Sequence, residues 1–308
     1  MSRGEPDLSV RIGPLVLKNP VLVASGTFGY GDEYTPLLDP SGLGGIVVKS
    51  LTLRPRDGAP PPRLAETPAG MLNAIGLQNI GVERFISEKL PFLRGYDTRV
   101  VVSVAGETSE EYGELAGRLD LDGVDALEVN ISCPNVEKGG MLFGSDPDSA
   151  YEVVSTVRRA TSKPVIAKLT PHASDVAKVA EAVREAGADA VSLINTLVGM
   201  AVDVETRRPK LGNVTGGLSG PAVRPVALAL VWKVASAVRI PVIGIGGISS
   251  PEDALEFLIV GARAVQVGTA TFFRPRTALE VVDGIREYME RHGFGSIDEL
   301  SGSLEVRR

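Results

Sequence analysis

Eight short, nearly unbroken apolar runs recur along the chain, and few folds accommodate them. They are Val21–Ala24, Gly45–Val48, Val100–Val104, Ala126–Val129, Val165–Leu169, Ala190–Ile194, Val242–Ile245 and Ala264–Val267. A strand with one wet face alternates apolar and polar residues. Runs this continuous belong to strands buried on both faces, as in a parallel sheet sheathed by helices. The intervening segments carry helix signals. Thr108 opens a T-x-x-E capping box with Glu111, and Tyr112, Leu115 and Leu119 follow on one face. Asp146-Pro147 and Ser250-Pro251 set a capping residue before a proline at the first helical position. Gly187 and Gly261 stand where two helices end. Eight strands alternating with helices predict a closed (β/α)8 TIM barrel.

The spacing of the runs predicts where the barrel is elaborated. The stretches after the second, fourth and sixth runs exceed a bare βα unit of about 25 residues. The surplus is Leu51–Tyr96, Ser132–Ser145 and Leu197–Ser219. All three leave the C-terminal ends of strands, where barrel enzymes build their sites. Leu8–Ile12 and Pro14–Leu17 around Gly13-Pro14 read as a small N-terminal β-hairpin closing the barrel bottom. No linker or charge block divides the chain, so residues 1–308 are expected to form one domain.

Composition removes several function classes. The net charge of −6 argues against nucleic-acid binding. No apolar run reaches about 18 residues, and Met1–Leu8 has no signal-peptide character. A soluble, cytoplasmic protein without a membrane partner is expected. One cysteine and two histidines supply neither an iron–sulfur cluster nor a zinc-ligand set, so no metal site is expected. Redox chemistry here requires an organic cofactor.

Several strand-end residues suggest what that cofactor is. Gly244-Ile245-Gly246-Gly247-Ile248-Ser249-Ser250 follows the seventh run, and Gly268-Thr269-Ala270-Thr271 follows the eighth. Paired loops at these positions are the usual phosphate grip of a barrel, although each alone also reads as a tight turn. The G-x-G-x-x-G fingerprint fails at Ser249, which favours a mononucleotide over NAD. Lys49, Asn130, Lys168 and Asn195-Thr196 sit at strand ends. Unpaired, such residues are costly to bury. Amides that donate and accept suit a planar ring bearing C=O and N–H groups. Lys49 suits a ligand carboxylate and Lys168 a reduced cofactor ring, while the bland reading has each lysine snorkelling. Cys133, in Ile131-Ser132-Cys133-Pro134-Asn135, reads either as a small buried hydrophobe or as a general base. The glycines of Ser132–Ser145 suit a lid. His172 has no evident partner and is left out of the chemistry.

Together these residues resemble the dihydroorotate dehydrogenase family, nearest to its class 1B catalytic flavoprotein subunit, over almost the whole chain. The most specific stretches are Asn73-Ala74-Ile75-Gly76-Leu77-Gln78-Asn79, Asn130-Ile131-Ser132-Cys133-Pro134-Asn135, Lys168-Leu169-Thr170-Pro171, Gly216-Gly217-Leu218-Ser219-Gly220-Pro221 and Gly246-Gly247-Ile248. The resemblance implies a barrel that binds FMN and oxidises dihydroorotate to orotate in pyrimidine synthesis. It makes Cys133 the catalytic base. It implies substrate contacts at Lys49, Asn73, Ala74, Ile75, Gly76, Leu77, Asn130, Asn195 and Thr196, with Asn135 in the lid motif. For FMN it implies Ser25, Lys49, Ser50, Asn130, Lys168, Ile194, Gly220, Gly246, Gly247, Gly268 and Thr269. Ser103 is included among the FMN contacts although it stands where the family usually has Asn near the flavin, and His172 also departs from a commoner Asn.

The class follows from differences within the family. A quinone-linked member carries an N-terminal membrane segment and a Ser base, and the sequence has neither. The wording of Ile75-Gly76-Leu77-Gln78-Asn79 and Glu137-Lys138-Gly139-Gly140 separates it from the fumarate-linked 1A homodimers. The 1B resemblance implies NAD as final acceptor, reached through a partner subunit carrying FAD and a [2Fe–2S] cluster, in a heterotetramer built on a homodimer of catalytic subunits. The rival readings are a 1A enzyme, a phosphate-binding barrel isomerase or lyase without flavin, and a flavin-binding scaffold without catalysis.

Overall fold

The computed structural model describes residues 5–132, 134, 135 and 141–306. Eight parallel strands close into one barrel: β1 (Val21–Val23), β2 (Gly45–Val47), β3 (Arg99–Val104), β4 (Ala126–Asn130), β5 (Val165–Lys168), β6 (Ala190–Leu193), β7 (Val242–Ile245) and β8 (Ala264–Val267). Neighbours around the barrel are neighbours in sequence, and β8 pairs with β1 through Gln266↔Leu22. Every strand residue but Arg99 is buried, which is why the sequence runs are unbroken. The expected strands and the observed ones agree to within a residue or so at each end.

The main helices are α1 (Ser109–Arg118), α2 (Pro147–Ala160), α3 (Val176–Glu185), α4 (Arg224–Ala237), α5 (Pro251–Ile259) and α6 (Thr277–His292). Their starts follow the capping chemistry. The Thr108 hydroxyl accepts from the Glu111 amide, while the Glu111 carboxylate reaches the Glu107 amide, one residue before the position a capping box uses. Asp146 caps α2 through the Ser149 amide, and Ser250 with Asp253 forms a complete capping box on α5. Gly187 (φ 97°) and Gly261 (φ 116°) follow the ends of α3 and α5 in conformations that suit glycine. Tyr112, Leu115 and Leu119 are fully buried, each large apolar side chain contributing about 1.5–3 kcal/mol. Among the described residues no helix is long and apolar enough to cross a membrane.

The N-terminal hairpin pairs Val10–Ile12 with Leu15–Leu17 and buries Ile12 and Leu17. Its turn packs against Asp189, just before β6, and the Val16 carbonyl accepts from Arg99 Nε at the start of β3. It therefore lies at the N-terminal ends of the strands, the expected bottom. At the opposite end, two insertions build a shared structure. Leu64–Thr67 and Gly70–Asn73, from the insertion after β2, join Leu197–Met200 and Thr215–Ser219, from the insertion after β6, in one antiparallel four-stranded sheet. The register Gly217↔Asn73 and Leu218↔Leu72 links chain segments more than a hundred residues apart. This sheet holds Asn73–Leu77 and Thr196 at the cavity. Of the insertion after β4, residues 133 and 136–140 lie outside the described residues, and with them the middle of the expected lid.

Candidate active site

One cavity of about 940 Å³ opens at the C-terminal ends of the strands, between the barrel and the insertion sheet. Its size matches a cofactor and a small substrate together. At one end stand the loops after β7 and β8. Gly246 (φ 134°) and Gly247 (φ 74°) turn the chain away from β7. A Cβ on Gly247 would sit 2.8 Å from the Gly220 carbonyl oxygen and 3.0 Å from the Arg224 amide. The Asp253 carboxylate, paired with Arg224, takes the amides of Ser249 and Ser250. Among the described residues, nothing accepts from the amides of Gly246, Gly247, Gly268 or Thr269. Donors left free at the mouth of a barrel fit an anionic group such as a phosphate.

Lys168 and Lys49 mark the cavity floor. Lys168, 5% exposed, donates to Ser25 Oγ at 3.1 Å and pairs with Glu128 at 3.3 Å. Lys49 has no carboxylate within ion-pair distance among the described residues, and burial pushes its ammonium below the ordinary lysine value. A cation so placed needs an anionic or carbonyl ligand to be satisfied. The polar side chains between the lysines are held in a chain. Ser103 Oγ and Ser50 Oγ are 2.8 Å apart, Asn130 Nδ2 donates to Ser50 Oγ at 3.5 Å, and Asn195 Nδ2 donates to Asn130 Oδ1 at 3.4 Å. Tyr112 donates to the Asn130 carbonyl at 2.7 Å and fixes that strand end from beneath. Asn73 Nδ2 donates to the Gly217 carbonyl at 3.2 Å, which ties it to the insertion sheet.

Most of the expected site residues meet in this cavity. Ser25, Lys49, Ser50, Lys168, Ile194, Gly220, Gly246, Gly247, Gly268 and Thr269 line it, as do Asn73, Ala74, Ile75, Gly76, Leu77, Asn130, Asn195 and Thr196. Ser103 does not: it is fully buried and reaches the cavity only through Ser50. Asn135 is placed by its backbone, which pairs with Met141. Cys133 lies outside the described residues. His172 is exposed and does not line the cavity. Among the described residues no cluster of His, Cys, Asp and Glu is arranged for a metal.

Two features were missed from the sequence. One is the wall from the insertion sheet, Glu66 to Met71, and the rim residues Phe272, Phe273 and Arg274. The other is Glu128, fully buried on β4 behind Lys168. Its sequence signal was a lone acid inside the apolar run Ala126–Val129.

Depressed titration at Lys49 has a measurable consequence. Between its folded and unfolded titrations the folded chain holds fewer protons, so stability rises with pH over that interval. Lys49→Met is expected to stabilise the ligand-free chain at pH 7, and by less as the pH approaches 10. Urea midpoints at both pH values check this, and an advantage that grows with pH refutes it.

Residues 7–289 match the family model described as Dihydroorotate dehydrogenase. The chain is 58% identical over 303 residues to the protein named dihydroorotate dehydrogenase B (NAD(+)), catalytic subunit, of Geotalea daltonii, covering 98% of this chain and 99% of that protein. It is 54% identical to the protein of the same name from Thermoanaerobacter sp. strain X514, covering 97% and 99%. Its fold is similar to a crystal structure of DHODH from Eimeria tenella in complex with ferulenol, with a TM-score of 0.80 at 21% identity, covering 98% of this chain and 90% of that one.

Proposed function

The chain belongs to the dihydroorotate dehydrogenase family, and from that premise we propose that it oxidises dihydroorotate to orotate on FMN as the catalytic subunit of an NAD-linked enzyme. The observation that carries the reading is the pairing, in one cavity, of loop amides that no acceptor among the described residues engages with a half-buried lysine that has no carboxylate partner among them. Those groups fit a flavin mononucleotide beside a carboxylate-bearing ring. The amides of Gly246, Gly247, Gly268 and Thr269 hold the phosphate. Ser25, Ser50, Lys168, Ile194 and Gly220 border the flavin, with Ser103 acting through Ser50. FMN, when bound, supplies the electron acceptor.

The chain's residues then orient the substrate and move its proton. Lys49 pairs the substrate carboxylate. Asn73, Asn130 and Asn195 with Thr196 match the ring's alternating donors and acceptors, and Ala74–Leu77 close its outer edge. Asn135 completes this set from the loop that carries Cys133. The Cys133 thiolate takes the proton from C5 of dihydroorotate. Glu66, the one acid among the described lining residues, is exposed on the insertion sheet and is not placed for that role.

In this reading electrons leave through a partner subunit holding FAD and a [2Fe–2S] cluster, as the class 1B resemblance implies, and this chain's one cysteine cannot ligate the cluster itself. We read the assembly as a cytoplasmic heterotetramer around a homodimer of this chain. The purified chain is expected to be yellow, and anaerobic dihydroorotate is expected to bleach its flavin absorbance. A colourless protein points to the isomerase or lyase reading, and a yellow one that dihydroorotate leaves unbleached points to a scaffold. Turnover by the isolated chain with fumarate, in place of NAD turnover that needs the partner, points to the 1A class.

Gly247→Ala tests the phosphate end. A methyl at φ 74° against the Gly220 carbonyl strains the turn. A cost of about 1–3 kcal/mol is expected, with weaker FMN retention. Unchanged denaturation midpoint and FMN affinity would remove the turn from the cofactor grip.

A further inference from the structure

Glu128 is a charged residue with no access to solvent, and three barrel strands are arranged to hold it. Its Oε2 accepts from Ser192 Oγ on β6 at 3.0 Å and from Gln266 Nε2 on β8 at 2.7 Å. Its Oε1 receives Lys168 Nζ from β5 at 3.3 Å. Lys168 spends a second donor on Ser25, which leaves its third for the cavity that it lines. A buried ion pair is weak evidence of stabilisation, because well-packed apolar residues of similar volume often do as well or better. Structural need alone therefore does not account for a carboxylate here.

We infer that Glu128 is a positioning residue for Lys168: it fixes the ammonium toward the cavity and offsets its charge, and so sets how strongly the protein favours reduced over oxidised flavin. The inference rests on the reading that the flavin lies against Lys168. The cavity meets a dipole, Lys168 in front and Glu128 behind, whose field is weaker than that of a lone cation. Without the carboxylate the lysine stabilises a reduced, electron-rich ring more strongly. The other charged groups among the described lining residues, Lys49, Glu66 and Arg274, are unchanged by substitutions at Glu128.

Glu128→Gln removes the charge and keeps the shape. Among the described residues Gln266 Oε1 is buried without a partner, so a rotated Gln266 amide can accept from the new Gln Nε2, and the Ser192 hydroxyl can accept in turn. The remaining carbonyl oxygen still receives Lys168. The midpoint potential of the bound flavin is read in holoenzyme at pH 6 for the wild type, Glu128→Gln and the double variant Glu128→Gln/Lys168→Met. Glu128→Gln is expected to shift the ratio of reduced to oxidised binding about tenfold toward the reduced form, about 30 mV upward for a two-electron couple. The double variant is expected to fall below Glu128→Gln. An unchanged or lowered potential in Glu128→Gln, with the double variant lower still, overturns the role of Glu128 and leaves the flavin reading intact. Equal potentials in the single and double variants overturn both, because the flavin then does not lie against Lys168.

Discussion

Lys168→Met is expected to cost about 3–5 kcal/mol of folding stability, the range for breaking a buried charge pair from one side. The carboxylate left behind is fully buried and, among the described residues, keeps two neutral donors, from Ser192 and Gln266. Neither supplies the opposite charge that offsets its loss of hydration. Glu128→Gln on its own leaves a lysine, but that side chain borders the cavity and retains Ser25. Adding Glu128→Gln to Lys168→Met removes the stranded charge and keeps acceptor and donor for Ser192 and Gln266. The double variant is therefore expected to recover most of the lost stability, a positive coupling in a double-mutant cycle. Denaturant titration of all four proteins without flavin measures it. Additive costs would mean that the 3.3 Å contact does not couple the two side chains energetically.

The same pair marks where reading the sequence stopped. The barrel was legible because each of its strands is buried on both faces, so hydrophobicity along the chain maps directly onto strand number and order. The hairpin and the starts of α1, α2 and α5 were legible because capping and turn chemistry are local. Glu128 broke the pattern of Ala126–Val129 without revealing a partner. Its ligands come from β5, β6 and β8, and closure of the barrel alone brings them together. The insertion sheet was hidden for a related reason. Leu64–Thr67 and Leu197–Met200 alternate only between exposed and half-buried positions, and Thr215–Ser219 carries two adjacent glycines, so none has the apolar signal of a core strand. Their positions were recognised as extra length, but their pairing was not encoded locally. Most of the residues expected at a site line one cavity, because strand ends and loop glycines fix their positions. Ser103, expected beside the flavin, is fully buried and meets the cavity through Ser50, a relay that strand-end position alone does not reveal.

Cys133→Ala is expected to retain bound flavin and orotate binding while slowing flavin reduction by dihydroorotate about 10²–10⁴-fold, the usual contribution of a general base. Separation of binding from chemistry is what makes the variant informative. The proposed phosphate loops, Lys49, and the Asn130–Asn195 pair are all residues other than Cys133, and their placement does not depend on a thiol. The alternative for a lone cysteine, a small buried hydrophobe, predicts a different result: alanine there costs packing energy and leaves the reaction rate nearly intact. Rapid mixing under anaerobic conditions reads the reduction step directly, without the partner subunit or the final acceptor. Cys133→Ser is the stricter companion, since it keeps the size of the side chain and replaces only the acidity of the group. A rate for Cys133→Ser well below wild type, at equal orotate affinity, assigns the loss to proton removal. Near-normal reduction in both variants takes the thiol out of the reaction and returns the search for the base to the residues lining the cavity.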